Sequence, residues 1–186
     1  MRSDDELYRQ FLTGDSKAYD ELLIRHGDGL IYYLNGYLHN PEDAEDLMIE
    51  AFARIMAKRP AIREGGFKAY LYKTARNLAS RFSFKKRKMS PFSPEDLQPE
   101  PTGAGDRLPE ELLLEKERNL LLHRSLDRLD PPLREALWLV YMDGMSYTQA
   151  AEVMRVSTKK IGNLLSRGRK VLRDAMEKEG ISHAHE

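Results

Sequence analysis

The chain has 186 residues, with 30 basic and 30 acidic side chains and therefore a formal net charge of zero. It has no cysteine, which excludes a disulfide framework, a thiol nucleophile and a thiolate metal site. No apolar run approaches the roughly 18 residues that a membrane span needs, and the first residues do not resemble a secretory signal. We therefore expect a soluble cytoplasmic protein with no membrane insertion.

The apolar residues repeat at helical spacing almost throughout, which predicts an all-α fold. Gly27 and Gly29 predict a break in the second helix. Asn40 is a suitable N-cap for the third helix, and Pro41 suits its first position. The predicted helices cover residues 4–12, 16–38, 41–58, 67–86, 110–129, 131–144, 147–154 and 158–177.

One segment differs in composition from the rest. Residues 89–109 contain five of the nine prolines, two glycines and four acids, so they cannot bury a core and predict a flexible tether. The chain should therefore form two small helical domains, residues 1–90 and 113–186, joined by a flexible, acidic, Pro-rich linker over 91–112.

The charges are unevenly distributed although they sum to zero. Residues 68–88 hold eight basic side chains and no acid, and 155–173 hold seven basic side chains and no acid. Residues 42–50 hold five acids and no base. Two separate basic stripes suggest two contacts on one polyanion, and two solvated helix faces are the alternative.

The last two predicted helices have the spacing of a helix-turn-helix. Residues 146–149, SYTQ, form a capping box, Ala151 is small where two helices approach, and Ile161 fills the space between them. Arg155 stands at a turn position that is often a left-handed glycine, which predicts a rearranged turn. An ordinary helical hairpin is the alternative.

The outer face of the final helix suits the major groove of DNA, because it presents basic, amide and hydroxyl side chains. Arg167 either reads a guanine edge or contacts phosphate alone. The candidate residues are Ser157, Thr158, Lys159, Lys160, Asn163, Ser166, Arg167 and Lys170.

Two long segments resemble a known family. Residues 18–58, with PEDAEDL, and residues 67–82, with ARN before a basic tract, resemble region 2 of sigma-70-type transcription initiation factors. Residues 126–176 resemble their region 4. Because no intermediate domain fits between them, the best match is the extracytoplasmic function (ECF) class. The resemblance implies a non-enzymatic factor that binds RNA polymerase core and directs promoter recognition, DNA melting and initiation.

The resemblance also implies where the polymerase binds. The acidic third helix would dock on the β′ clamp helices, since a negative face with an apolar edge suits a basic coiled coil. The helix that follows Pro131 would lie near the β flap. The matching positions in the third helix are Asp43, Glu45, Asp46, Leu47, Glu50 and Phe52.

Promoter contacts follow in the same way. Asn77 and nearby aromatic rings would hold a flipped base of the −10 element, and basic neighbours would hold phosphates. The final helix would read the −35 element, although Gly162 and Leu164 stand where the family commonly has basic residues. The −10 candidates are Arg63, Phe67, Lys68, Tyr70, Lys73, Arg76, Asn77, Arg81, Lys85, Lys86, Arg87 and Lys88.

An anti-sigma factor is a further partner that the resemblance alone implies, and no cofactor or metal is expected. A helix-turn-helix regulator that acts without polymerase core is the alternative, and it would need only residues 119–186. A metal-dependent hydrolase that uses the 42–50 carboxylates is disfavoured, because the five histidines are scattered and no Gly-rich phosphate loop is present.

Overall fold

The computed structural model describes residues 2–89, 126 and 129–178, and within these ranges it contains helices and no strands. The predicted linker over 91–112 and nearly all of the predicted helix over 110–129 lie outside the described residues. The elements are α1 (Asp4–Leu12), α2 (Ser16–Leu38), α3 (Pro41–Lys58), α4 (Phe67–Met89), α5 (Pro131–Leu137), a π-helical segment (Trp138–Met142), α6 (Tyr147–Met154) and α7 (Thr158–Lys178).

Local side-chain chemistry explains where the first three helices begin. Ser3 and Glu6 form a capping box at α1, and Asp15 accepts a hydrogen bond from the backbone N–H of Lys17 at α2. Asn40 accepts from the N–H of Asp43 and precedes Pro41, which confirms the start predicted for α3. Each cap satisfies a backbone donor that has no partner within its helix.

Helix α2 is continuous, so the break predicted near Gly27 and Gly29 is wrong. These glycines admit close neighbours instead of ending the helix. A Cβ on Gly29 would lie 3.1 Å from the hydroxyl of Tyr72, and one on Gly27 would lie 4.0 Å from Met48. Gly29 therefore allows α4 to approach the middle of α2 closely.

The core of residues 2–89 forms around α2, which packs against α1, α3 and α4. Leu22, Leu30 and Leu34 are fully buried along one side of α2. The hydroxyl of Tyr8 in α1 donates to the carbonyl of Pro60 at 2.8 Å, which ties the loop after α3 to the first helix. Burial of apolar area in this core is the main stabilising contribution.

The sequence predicts one α-helix from Pro131 to Gly144, but in the structure the α-helix ends at Leu137. After Leu137 the chain widens into the π-helical segment, which ends with the N–H of Asp143 bonded to the carbonyl of Trp138 at 3.0 Å. Asp130 occupies the N-cap position of α5 without a side-chain hydrogen bond. The wider turns direct Asp143 toward residues 2–89.

The helix-turn-helix is confirmed. Ser146 and Gln149 form the predicted capping box, and Ala151 and Ile161 are buried between α6 and α7. Arg155 adopts the left-handed conformation, with φ 57° and ψ 46°, so the predicted rearrangement of the turn is wrong. The turn keeps its geometry because the N–H of Arg155 bonds to the carbonyl of Ala151 and the buried contacts around it outweigh the local strain.

None of the helices in the described ranges combines the length and the hydropathy that crossing a lipid bilayer requires.

Candidate nucleic-acid interface

Helix α4 carries its polar side chains on two different faces. The pocket face consists of Tyr70, Thr74, Asn77 and Arg81, which recur at spacings of three and four residues. The covered face consists of Lys68, Tyr72 and Arg76, which point toward residues 129–178. The −10 candidates are therefore divided between an open surface and an occupied one.

The pocket face lines an open pocket of about 200 Å³ between α3 and α4. Arg54 and Lys58 of α3 complete it together with Arg81, so three cations surround one amide and one aromatic ring. Cations bind phosphates, an amide pairs with a base edge, and a ring stacks on a base. The pocket thus has the chemistry that single-stranded nucleic acid requires.

On the covered face, Arg76 forms an ion pair with Glu135 of α5. The Nε of Arg76 lies 2.8 Å from the Oε1 of Glu135, and the hydroxyl of Tyr33 donates to the same oxygen at 2.8 Å. The Glu135 side chain is only 6% exposed. Burial, together with the negative charge of Glu135, raises the pKa of Tyr33 well above its ordinary value, so Tyr33 stays a donor.

A second contact joins the covered face to Asp143. The hydroxyl of Tyr72 donates to the Oδ1 of Asp143 at 2.8 Å, and the Nζ of Lys68 lies 3.5 Å from the same oxygen. Lys68 also donates to the backbone carbonyl of Asp143. Burial raises the pKa of the Asp143 carboxyl, and Lys68 and Tyr72 offset part of that increase.

Glu152 of α6 forms the third contact. It pairs with Arg63 in the loop before α4 and lies 3.4 Å from the Nζ of Lys73. The side-chain amide of Gln149 donates to the carbonyl of Gly65 at 2.9 Å in the same loop. Four of the predicted −10 cations, Arg63, Lys68, Lys73 and Arg76, are thus paired with carboxylates of the C-terminal helices.

The remaining −10 candidates differ in their surroundings. Phe67 is 1% exposed and packs on Tyr8 with ring centroids 5.2 Å apart, so we reassign it from base contact to the core. Lys85 and Lys88 are exposed. Lys86 lies 3.1 Å from a carboxylate oxygen of Asp43 in α3. The side chain of Arg87 lies outside the described residues.

The exposed face of α3 is acidic in its first half and apolar in its second. Glu45 and Asp46 are exposed, and Glu50 is half-buried and pairs with Arg54. Leu47 and Phe52, which the sequence had placed among the polymerase contacts, are 5% and 3% exposed and belong to the core.

Sequence reasoning missed two apolar residues on this face. Ile49 is 53% exposed, and Met56 is 47% exposed. The spacing of positions 42, 45, 46, 49, 53 and 56 places them along one side of a helix, and all six are exposed. That spacing could have predicted that Ile49 and Met56 lie on the same face as the acidic residues.

The outer face of α7 is open to solvent. Its inner residues Ile161, Leu164 and Leu165 are buried against α5 and α6. All the predicted −35 residues are exposed, namely Ser157, Thr158, Lys159, Lys160, Asn163, Ser166, Arg167 and Lys170.

Across the residues that the structure describes, no group of three or more histidine and carboxylate side chains is arranged to hold a metal ion.

Family models match both halves of the chain. The model described as "Sigma-70 region 2" covers residues 22–89, and "Sigma-70, region 4" covers residues 119–172. The curated "ECF RNA polymerase sigma factor SigE" of Mycolicibacterium smegmatis is 31% identical over 179 residues, which are 92% of this chain and 68% of that protein.

Solved structures show the same fold. CnrH in complex with the cytosolic domain of CnrY is 21% identical, with a TM-score of 0.65 and coverage of 94% of this chain and 97% of that one. The sigma factor RpoE in complex with the anti-sigma factor NepR from Bartonella quintana is 22% identical, with a TM-score of 0.64 and coverage of 87% and 98%.

Proposed function

The chain belongs to the extracytoplasmic function class of sigma-70-type RNA polymerase sigma factors, and on that premise we propose which ligand each of its surfaces binds. The protein binds RNA polymerase core and directs promoter recognition, DNA melting and transcription initiation. Residues 1–90 act as region 2, residues 113–186 act as region 4, and 91–112 link them. It catalyses no covalent reaction and works in the cytoplasm, where the polymerase and the template are.

The observation that carries this proposal is the presence of three separate surfaces with three different chemistries. The pocket face of α4 is cationic and contains an amide and a ring, the outer face of α7 is cationic and convex, and α3 is acidic with an apolar edge. A regulator that only bound duplex DNA would need α7 but neither of the other surfaces.

The three surfaces fit three ligands. Region 4 places α7 in the −35 major groove, where Arg167 and Asn163 contact base edges or phosphates. Region 2 captures the unpaired −10 strand in the pocket, with Asn77 at a flipped base and Arg81 at a phosphate.

The acidic face of α3 docks on the β′ clamp helices of the core, and α5 lies near the β flap. Opposite charge speeds the encounter, and the exposed Ile49 and Met56 supply the apolar contact that holds the complex. An anti-sigma factor is a further partner, because the similar sigma factor RpoE was solved in complex with the anti-sigma factor NepR.

Run-off transcription with purified core polymerase on a promoter library tests the function. We expect the chain to stimulate transcription from a subset of promoters. Asp46→Arg should weaken core binding and leave binding to duplex DNA unchanged, whereas Asp20→Arg, the same charge change on exposed α2, should change neither. Absence of stimulation, with duplex binding intact, would favour the regulator that acts without polymerase core.

A further inference from the structure

Residues 2–89 and residues 129–178 are joined by ion pairs between cations of the first range and three carboxylates of the second. Glu135, Asp143 and Glu152 come from α5, the end of the π-helical segment and α6, three different elements. Each pairs with at least one cation of α4 or of the loop before it. The three acids thus line up along one side of the −10 candidate surface.

Two of these carboxylates are held in place with little freedom. The Glu135 and Asp143 side chains are 6% and 9% exposed. Each also accepts a tyrosine hydroxyl, from Tyr33 and Tyr72 respectively, which fixes the position of its oxygens. An ion pair that is buried and further hydrogen-bonded is screened far less by salt than a surface pair.

The cations themselves are occupied. The Nε of Arg76 is used by Glu135, and the Nζ of Lys68 is used by both the carboxylate and the carbonyl of Asp143. Glu135 and Asp143 neutralise these two cations and lie against them, so a DNA phosphate that approached this face would also meet two carboxylates. The covered face of α4 is therefore unavailable to nucleic acid in this conformation.

The outer face of α7, the candidate −35 surface, is not covered by these contacts. All the candidate cations on the outer face of α7, including Lys159, Lys160, Arg167 and Lys170, are exposed. The pocket face of α4 also remains open. The contact between the halves therefore covers one part of the −10 surface selectively and does not shield the whole protein.

We propose that Glu135, Asp143 and Glu152 act as internal substitutes for the phosphates of the −10 strand, which hold the free protein closed. Opening releases Arg63, Lys68, Lys73 and Arg76 for promoter DNA. This inference rests on the proposed function, since it takes those cations as DNA contacts. It adds that the chain regulates its own −10 surface without a second protein.

A prediction about Gly29 follows directly. An added Cβ at Gly29 would lie 3.1 Å from the hydroxyl of Tyr72 and 3.4 Å from the Oδ1 of Asp143. Gly29→Ala should therefore displace the Tyr72 hydroxyl by a few tenths of an ångström and weaken its hydrogen bond to Asp143 without changing any charge. Gly27→Ala is the matched control, because its Cβ would meet only Met48 at 4.0 Å.

Double-label distance measurements on the full chain test the closure. The chain contains no cysteine, so labels at Asp20→Cys and Val171→Cys, both on exposed positions, are specific. The parent should give one short separation. Asp143→Asn combined with Glu152→Gln, and separately Gly29→Ala, should give longer and broader separations. Asp174→Asn and Gly27→Ala should match the parent.

Binding of a short, labelled single-stranded DNA by the same proteins gives the functional readout. If the closed form outnumbers the open form about tenfold, the double variant should bind up to about tenfold more tightly, and Gly29→Ala should bind more tightly by a smaller factor. Gly29→Ala separates opening from a simple gain in net positive charge. Unchanged separations in both variants, or longer separations without tighter DNA binding, would overturn the inference.

The two proposals fail in distinguishable ways. If the opening variants gain single-stranded DNA binding but the chain never stimulates core polymerase, the proposal that the free protein is closed is supported and the proposed transcription function is wrong. If the chain directs transcription and the variants bind single-stranded DNA as the parent does, self-closure alone is wrong. Urea unfolding of each variant confirms that the altered chain is folded when it is measured.

Discussion

The Nε of Arg76 and the Oε1 of Glu135 lie 2.8 Å apart, although 59 residues separate them in the chain. Tyr33 donates to the same carboxylate oxygen, so residues from α2, α4 and α5 meet at one buried acceptor. The negative charge of Glu135 opposes the desolvation of Arg76 and keeps the pKa of that guanidinium above its ordinary value. The two halves of the protein are thus joined through a charged group that neither half could bury alone.

A double-mutant cycle measures this contact. Arg76→Met should leave Glu135 without its cation and destabilise the closed protein by about 1–3 kcal/mol, because a buried charged acceptor loses a partner. Combined with Glu135→Gln, the cost should be less than additive, with a coupling energy of about 0.5–3 kcal/mol. Urea unfolding provides the free energies, and strictly additive costs would show that the pair contributes nothing.

The reassignment of residues in α3 leads to a second prediction. Ile49 is exposed and Leu47 is buried, only two positions away. Ile49→Ala should leave stability nearly unchanged and weaken core polymerase binding by more than about 1 kcal/mol, as truncation of a central apolar contact does. Affinity for purified core, measured by fluorescence anisotropy, decides this.

Leu47→Ala is the matched comparison. Because the side chain is in the core, its truncation should lower the free energy of unfolding by about 2–5 kcal/mol. Chemical unfolding should therefore show the larger loss of stability for Leu47→Ala, whereas the binding measurement should show the larger loss of core affinity for Ile49→Ala. Equal losses of core affinity from two well-folded variants would argue for an interface role at both positions.

The turn of the helix-turn-helix allows a stabilising substitution. Arg155 has φ 57°, a conformation in which a Cβ costs about 1–2 kcal/mol. Arg155→Gly should therefore raise the free energy of unfolding by up to about 1 kcal/mol, after the greater chain entropy of glycine is subtracted. Arg155→Ala keeps the Cβ and should show no such gain, and thermal unfolding of the two variants distinguishes these outcomes.

Acid should weaken the contact that Asp4 of α1 makes with Arg25 and His26 of α2. Burial by itself raises the pKa of Asp4, but hydrogen bonds and charge from His26 and Arg25 outweigh it, so the carboxyl titrates below its ordinary value of 3.8. A carboxyl whose pKa is lower in the folded state stabilises the fold above its unfolded pKa. That contribution disappears as the pH falls through the folded pKa.

The difference in unfolding free energy between the parent and Asp4→Asn should therefore be fully present just above pH 3.8 and shrink as the pH falls below that value. Asp20→Asn, at an exposed position of α2, serves as the control and should show little difference at either pH. A parent-to-variant difference that does not change over this range would contradict the assigned role of Asp4.

Most of the helical architecture could be predicted because its determinants are local. The caps at Asn40 and Ser146 and the spacing of Ala151 and Ile161 each depend on residues within about ten positions of one another. Periodicity also defined the faces of α7, where buried and exposed positions follow the helical repeat over residues 158–174.

Other features depended on contacts between distant parts of the chain. Nothing near Phe67 indicates that Tyr8, in another helix, covers its ring. The π-helical segment follows α5 directly, and no local pattern in the sequence distinguishes it from an α-helix. The sequence analysis did not single out Glu135 or Asp143, since their cationic partners Arg76 and Lys68 lie at least 59 residues away in the chain.

The π-helical segment from Trp138 to Met142 has one further consequence. Its hydrogen bonds span five residues, as between Asp143 and Trp138, so a return to α-helical pairing would shift the register by one residue. A one-residue shift rotates the following side chains by about 100° around the axis. An Asp143 rotated by that amount would no longer face Lys68 and Tyr72, so the contact of this carboxylate with α4 depends on the π-helical register.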